Sequence, residues 1–157
     1  MERNLIDLYE DGGRKLVKAI EGLVEADMVA LPVPGTWSIK QVVGHLADSD
    51  LVFAERMKRV IAEDNPTLQD FDENKWTAAL HYQLQPTPDV GSLFDLNRRV
   101  MTSLLRLLPP EAFARSGTHT ARGVQTLESI LHYAVDHLDH HLRFLYDKRE
   151  KLGKLMW

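Results

Sequence analysis

Apolar residues recur along this chain at helical rather than strand spacing. Leu5, Leu8, Leu16, Ile20 and Leu23 partly follow a 3.6-residue period and predict a first helix over about Asn4–Val24, which Gly12-Gly13 weakens. Pro32-Val33-Pro34-Gly35 breaks the chain after it. A second helix is expected over about Ser38–Glu63. Ser38 and Gln41 have the Ser-x-x-Gln spacing that satisfies free amide donors at a helix start, and Ile39, Val42, Val43, Leu46, Phe53, Met57 and Val60 form one stripe. Asn65-Pro66 ends it. Residues 66–90 are mixed, with a short helix around Glu73–His81 and breaks at Pro86 and Pro88. A third helix runs over about Val90–Leu108 to Pro109-Pro110. Residues 114–124 read as a loop or small hairpin, and a fourth helix spans about Thr126–Lys151.

Four amphipathic helices with long connections predict an all-α fold: a four-helix bundle with crossovers rather than a simple alternating one. The longest connection lies between helices two and three, where length often serves function. The 157 residues fit a single domain spanning residues 1–157, large enough for a core without cross-links.

Composition removes several classes of function. The net charge of −4 and scattered basic residues leave no nucleic-acid footprint. Lys148, Arg149, Lys151 and Lys154 read as cations at a helix C-terminus. There is no cysteine, hence no disulfide, thiolate ligand or cysteine nucleophile. The stretch Met1–Arg14 has no apolar signal-peptide core, and no segment approaches the roughly 20 apolar residues of a membrane span. A cytoplasmic protein without membrane or nucleic-acid partners is the expectation.

The candidate chemistry lies in the histidines. Of seven, four fall between His132 and His141 on the fourth helix. His137 and His141, four residues apart, share a helix face with Ile130, Tyr133, Ala134 and Phe144, the face expected to point inward. Two buried imidazoles need compensation, and neutral imidazole is a good ligand for zinc, nickel, copper or iron. His45, at the edge of the second helix's stripe, is the best candidate for a third ligand. Three histidines and an open position are the pattern of catalytic metal sites. The plain alternative is a pair of flank histidines on a solvated helix, with His45 an ordinary boundary residue. His132 and His140 read as surface or supporting groups, and His81 and His119 as loop histidines. Asp48, Asp50, Asp136 and Asp139 are candidates to receive the outer imidazole N–H groups. Asp48 and Tyr133 are the candidate catalytic residues, Tyr133 because it stands one turn before His137. Trp37 and Trp76 read as packing anchors.

The run Trp37-Ser38-Ile39-Lys40-Gln41-Val42-Val43-Gly44-His45-Leu46-Ala47-Asp48-Ser49 resembles the second-helix motif of the DinB-like superfamily, in particular its YfiT-like branch. His137-Leu138-Asp139-His140-His141 is similar to its C-terminal His-x-x-His-His motif, and Phe71–Trp76 to the branch's connection between helices two and three. The resemblance spans about Asn4–Leu152. It implies up-down-down-up topology, a metal (zinc or nickel) on His45, His137 and His141 with His140 set aside, and a homodimer. It also implies a metal-dependent reaction, in which the ion activates a low-molecular-weight thiol or water against a small electrophilic substrate, thiol transfer being preferred to hydrolysis. A non-catalytic metal-stabilised or stress-associated module is the alternative it leaves. Where many relatives carry Gly-Gln after the histidine pair, Leu142-Arg143-Phe144 stands here, so the resemblance carries over the metal triad and not a particular substrate.

Overall fold

A computed structural model describes residues 3–156; Met1 and Glu2 of the charged N-terminal stretch, and Trp157, lie outside the described residues. Six α-helices are present among them: α1 (Arg3–Ile20), α2 (Glu25–Val29), α3 (Ile39–Ala62), α4 (Glu73–Ala79), α5 (Thr87–Leu105) and α6 (Leu127–Lys151). The four long ones make a bundle in which α1 and α3 each pack against both α5 and α6.

The helix starts follow the sequence closely. Ser38 accepts from the Gln41 amide at 3.1 Å, and the Ser38 amide donates to the Gln41 side chain at 2.9 Å, the reciprocal cap expected before α3. Thr126 accepts from the Ser129 amide at the start of α6. Pro88, expected to break the chain, instead sits in the first turn of α5, where a missing N–H is not needed.

Gly12 and Gly13 do not interrupt α1. A Cβ on Gly12 would collide with the Arg98 guanidinium and with Leu138, and one on Gly13 with Asp95. The two glycines are what let α5 and α6 close on α1. At its far end α1 stops at Ile20, and Gly22 turns the chain with φ of 74° into the short α2. Buried Arg149 of α6 donates to the carbonyls of Ala19 and Glu21, so it caps the end of α1 as well as meeting Lys154 of its own turn.

The all-α expectation needs one correction. A small sheet of order β1-β2-β3 covers one end of the bundle, made of β1 (Thr67–Leu68), β2 (Ser116–His119) and β3 (Gly123–Thr126). β2 and β3 form the antiparallel hairpin left open by the sequence. β1 pairs parallel to β2, with Leu68 opposite His119. Two residues give no readable alternation, and the partner lies some fifty positions away. The sheet places the end of β2, and with it His119, beside the long connection that crosses the bundle between α3 and α4.

Candidate metal centre

Local helix geometry sets the site. On α6, His137 and His141 are one turn apart with ring centroids 4.6 Å from each other. The α3 chain brings His45 to them: its Nε2 is 3.2 Å from the Nε2 of His137 and 3.2 Å from that of His141. His45 is 1% exposed, and the other two rings are half-buried. The spacing expectation for His137 and His141 and the choice of His45 over the other histidines therefore meet at one point.

Burial holds all three rings neutral. It pushes His45 down to about 4 and, together with the neighbouring His45, His141 to about 3. His137 falls to about 2, by burial first and then by its two histidine neighbours. Nε2 lone pairs facing one another at this distance cannot all be satisfied by sharing protons. A cation between them removes the conflict. Ligands at about 2.0–2.1 Å around a tetrahedral ion stand about 3.3 Å apart, close to the separations here. Among the described residues this is the cluster of histidine, aspartate and glutamate side chains whose donors converge as a metal site requires. The triad can hold a divalent ion.

Its surroundings differ from the sequence reading. Ser49, one turn after His45, is the polar neighbour of that ring on its own helix, its Oγ 3.4 Å from Nδ1 and 3.5 Å from Nε2. The carboxylates proposed to receive the outer imidazole N–H groups have other partners. Asp48, the catalytic candidate, accepts from the Tyr82 hydroxyl at 2.5 Å; Asp50 pairs with Arg98, and Asp139 with Lys15. Asp136 is exposed. Tyr133 does stack on His137, with centroids 5.8 Å apart, but its hydroxyl is engaged by Arg122. Trp37, read as a packing anchor, lies parallel to His141 at 6.4 Å and close to His45 at 5.0 Å, so it walls the centre. His140 and His132 are exposed, His140 meeting only the edges of His141 and Phe144 among aromatic groups. His81 heads a short 3-10 turn, and His119 is a buried strand residue rather than a loop one.

The group the sequence reading missed is Glu73. From the first turn of α4 its Oε2 reaches to 3.6 Å from His45 Nε2 while half the side chain stays exposed. It puts a carboxylate at the solvent edge of the triad. Nothing local marks it: Glu73 is one acid among many until the connection folds back over the bundle.

The sequence profile of the DinB superfamily matches residues 8–145. The chain belongs to the DinB superfamily. Within it, the chain is similar to YfiT of Bacillus subtilis strain 168, with 29% identity over 150 residues, covering 94% of this chain and 84% of YfiT. It is 33% identical over 137 residues to the OB0782 protein of Oceanobacillus iheyensis, covering 87% of this chain and 79% of that one. A metal-dependent hydrolase activity is ascribed to both by name. The solved structure of YfiT, described as an unusual four-helix bundle, superposes with a TM-score of 0.90 at 26% identity, over 98% of this chain and 90% of YfiT. A second DinB-like structure, YjoA of the same organism, has a TM-score of 0.62 at 16% identity over 99% and 97% of the two chains, and shares the fold alone.

Proposed function

We propose that this DinB-superfamily chain is a divalent-metal-dependent hydrolase of a small electrophilic substrate, with zinc or nickel held by His45, His137 and His141. The convergence of three neutral imidazole nitrogens on one point, with a carboxylate at its open edge, carries the reading. When bound, the ion would act as a Lewis acid and acidify a water or thiol beside it. The chain's own residues do the rest. Ser49 lies against the His45 ring, Trp37 shields the triad on the His141 side, and Glu73 stands where it can take the proton of the incoming nucleophile. The names of the relatives favour water. A low-molecular-weight thiol entering at the same edge would lose its proton to the same carboxylate and give the transferase variant of this reading.

Elemental analysis of untagged protein after metal supplementation is expected to give about one ion per chain, the saturation level of a single site. Glu73→Gln is expected to keep that ion and to lower hydrolytic or thiol-dependent turnover about 100-fold or more. An ion lost together with Glu73 would make the carboxylate a fourth ligand and the protein a non-catalytic metal-stabilised module. Less than about one ion per three chains would remove the metal reading itself.

The up-down-down-up order belongs to the same proposal. It is supported by contacts that run oppositely between α1 and α5 (Asp7 with Arg106, Ile20 with Gly91) and between α3 and α6 (His45 with His141, Phe53 with Tyr133). Contacts between α1 and α6 run the same way (Gly12 with Leu138, Ala19 with Arg149). So does a homodimer through α5, whose outer face carries Leu93, Leu96 and Val100, continued by Leu107, all 45–82% exposed on one stripe. Light scattering on the Leu96→Asp, Val100→Asp double variant should give a monomer where the parent gives a dimer; a monomeric parent would end this part of the reading.

A further inference from the structure

A second polar cluster lies one aromatic layer from the triad, at the end of β2. The His119 side chain is fully buried, and its Nδ1 accepts from the amides of Ala121 and Arg122 at 3.1 and 3.2 Å. The neutral ring then carries its proton on Nε2, which has no hydrogen-bond partner. Burial first, then the charge of Arg56, lowers the ring's affinity for a second proton. Arg56, on α3, is also buried and donates to the Gln69 carbonyl at 2.6 Å, yet its Nε–H is unpartnered too. Arg122 completes the cluster from the exposed side, donating to the Tyr133 hydroxyl at 2.9 Å with its guanidinium 4.2 Å above that ring.

Two buried donors without acceptors are costly, and with the Arg122 guanidinium beside them they make a place short of hydrogen-bond acceptors. Asp70 stops short of His119: its Oδ1 is 3.7 Å from His119 Nε2, beyond hydrogen-bonding distance, and 3.9 Å from Arg56 Nη2, the nitrogen that the Gln69 carbonyl already takes. Asp70 is half-exposed and lies three residues before Glu73 on the same connection. On the other side, the rings of Phe53 and Tyr133 separate the cluster from the metal centre, with centroids 5.3 and 5.8 Å from His137.

We propose that Arg56, His119 and Arg122 form an oxyanion subsite that holds a carboxylate or phosphate group of the substrate, with Asp70 standing beside His119 until that group displaces it. The assignment of the anion to the substrate rests on the metal reading, because only the Phe53 and Tyr133 rings stand between the cluster and His137. The electrostatics suit it. Two fixed cations and one neutral donor outweigh the single Asp70 charge, and the planar guanidinium and imidazole N–H groups match the geometry of an oxyanion.

Side-chain NMR of the Arg56 Nε–H and His119 Nε2–H groups, with acetate and inorganic phosphate as separate titrants, tests the subsite. A saturable downfield shift with a dissociation constant of about 1–10 mM is expected with at least one of them, and which one names the group. Asp70→Asn removes the competing charge and should tighten binding about fivefold; exposed Arg122→Gln should weaken it about fivefold without unfolding the chain. No saturable shift up to about 50 mM in either the parent or Asp70→Asn overturns the subsite. So does an Asp70→Asn variant that loses stability and binds no anion, since Asp70 is then the donors' own partner. The titrations are run on metal-loaded and chelated protein. An anion that binds only with the ion present reports the metal's open face and counts against the subsite. A chain that takes up no metal but binds the anion after chelation fails the metal reading alone.

Discussion

Arg98→Met is expected to destabilise the fold by about 3–5 kcal/mol, enough to remove a large part of a domain's stability. Arg98 and Asp50 are each 1% exposed and form a buried ion pair at 2.9 Å between α5 and α3. The pair is fully furnished. Arg98 also donates to the carbonyls of Tyr9 and Ala134, and lies 4.5 Å over the rings of Tyr9 and Phe94; Asn97 donates to Asp50 at 2.8 Å. All four long helices meet at this one guanidinium. Burial pushes the Asp50 carboxyl up and Arg98 pulls it back, so removing Arg98 leaves an unpaired buried acid that must take a proton. Urea unfolding at pH 7 would read the loss. The paired change Asp50→Leu with Arg98→Met should recover part of it, because an apolar pair carries no desolvation cost. A loss under about 1 kcal/mol for Arg98→Met would show that the pair does not tie the helices together. The link to the site is direct: Ala134, which Arg98 holds, is one turn before the segment carrying His137 and His141 on α6.

That pair also shows where the sequence could and could not be read. α3 and α6 carry their own signals, a reciprocal cap, a threonine cap and continuous apolar stripes, and their ends fall within a residue of expectation. The α1 assignment was weakened by Gly12-Gly13 because the reason for the glycines, the close passage of Arg98 and Asp95, lies more than eighty residues away. The strand β1 was unreadable for the same reason, since Thr67-Leu68 exists as a strand only through β2. In the site, His137 and His141 could be paired from helical spacing alone. His45 could be placed at the edge of a stripe and no further, and the resemblance joined it to them. Spacing offered Asp48 and Asp50 as supporting carboxylates, but both are taken by tertiary partners, Tyr82 and Arg98. Glu73, the acid that does reach the triad, arrives on a connection whose path has no local code.

The metal-free protein should lose about 2–4 kcal/mol of stability between pH 7.5 and pH 5.5 through the triad, with buried His119 adding in the same direction. In the unfolded chain each of the three imidazoles titrates near about 6.5. In the fold, burial holds His45 at about 4, His141 at about 3 and His137 at about 2. The folded state therefore binds fewer protons than the unfolded one throughout this window. Stability is fully present above the unfolded value and drains as pH falls below it, by up to about 1.4 kcal/mol per pH unit for each ring. The partial exposure of His137 and His141 brings the sum below the full value for three rings. His141→Asn in metal-free protein should reduce the triad's share of the loss by about a third, because one proton fewer separates the two states. Adding zinc or nickel should raise stability at each pH through binding to the folded state, with the gain growing with free ion concentration. Thermal unfolding of chelated protein at pH 7.5, 6.5 and 5.5 reads the slope. A flat profile for the chelated parent would mean that the three rings titrate in the fold as they do in water, and that the site does not hold its ligands ready for an ion.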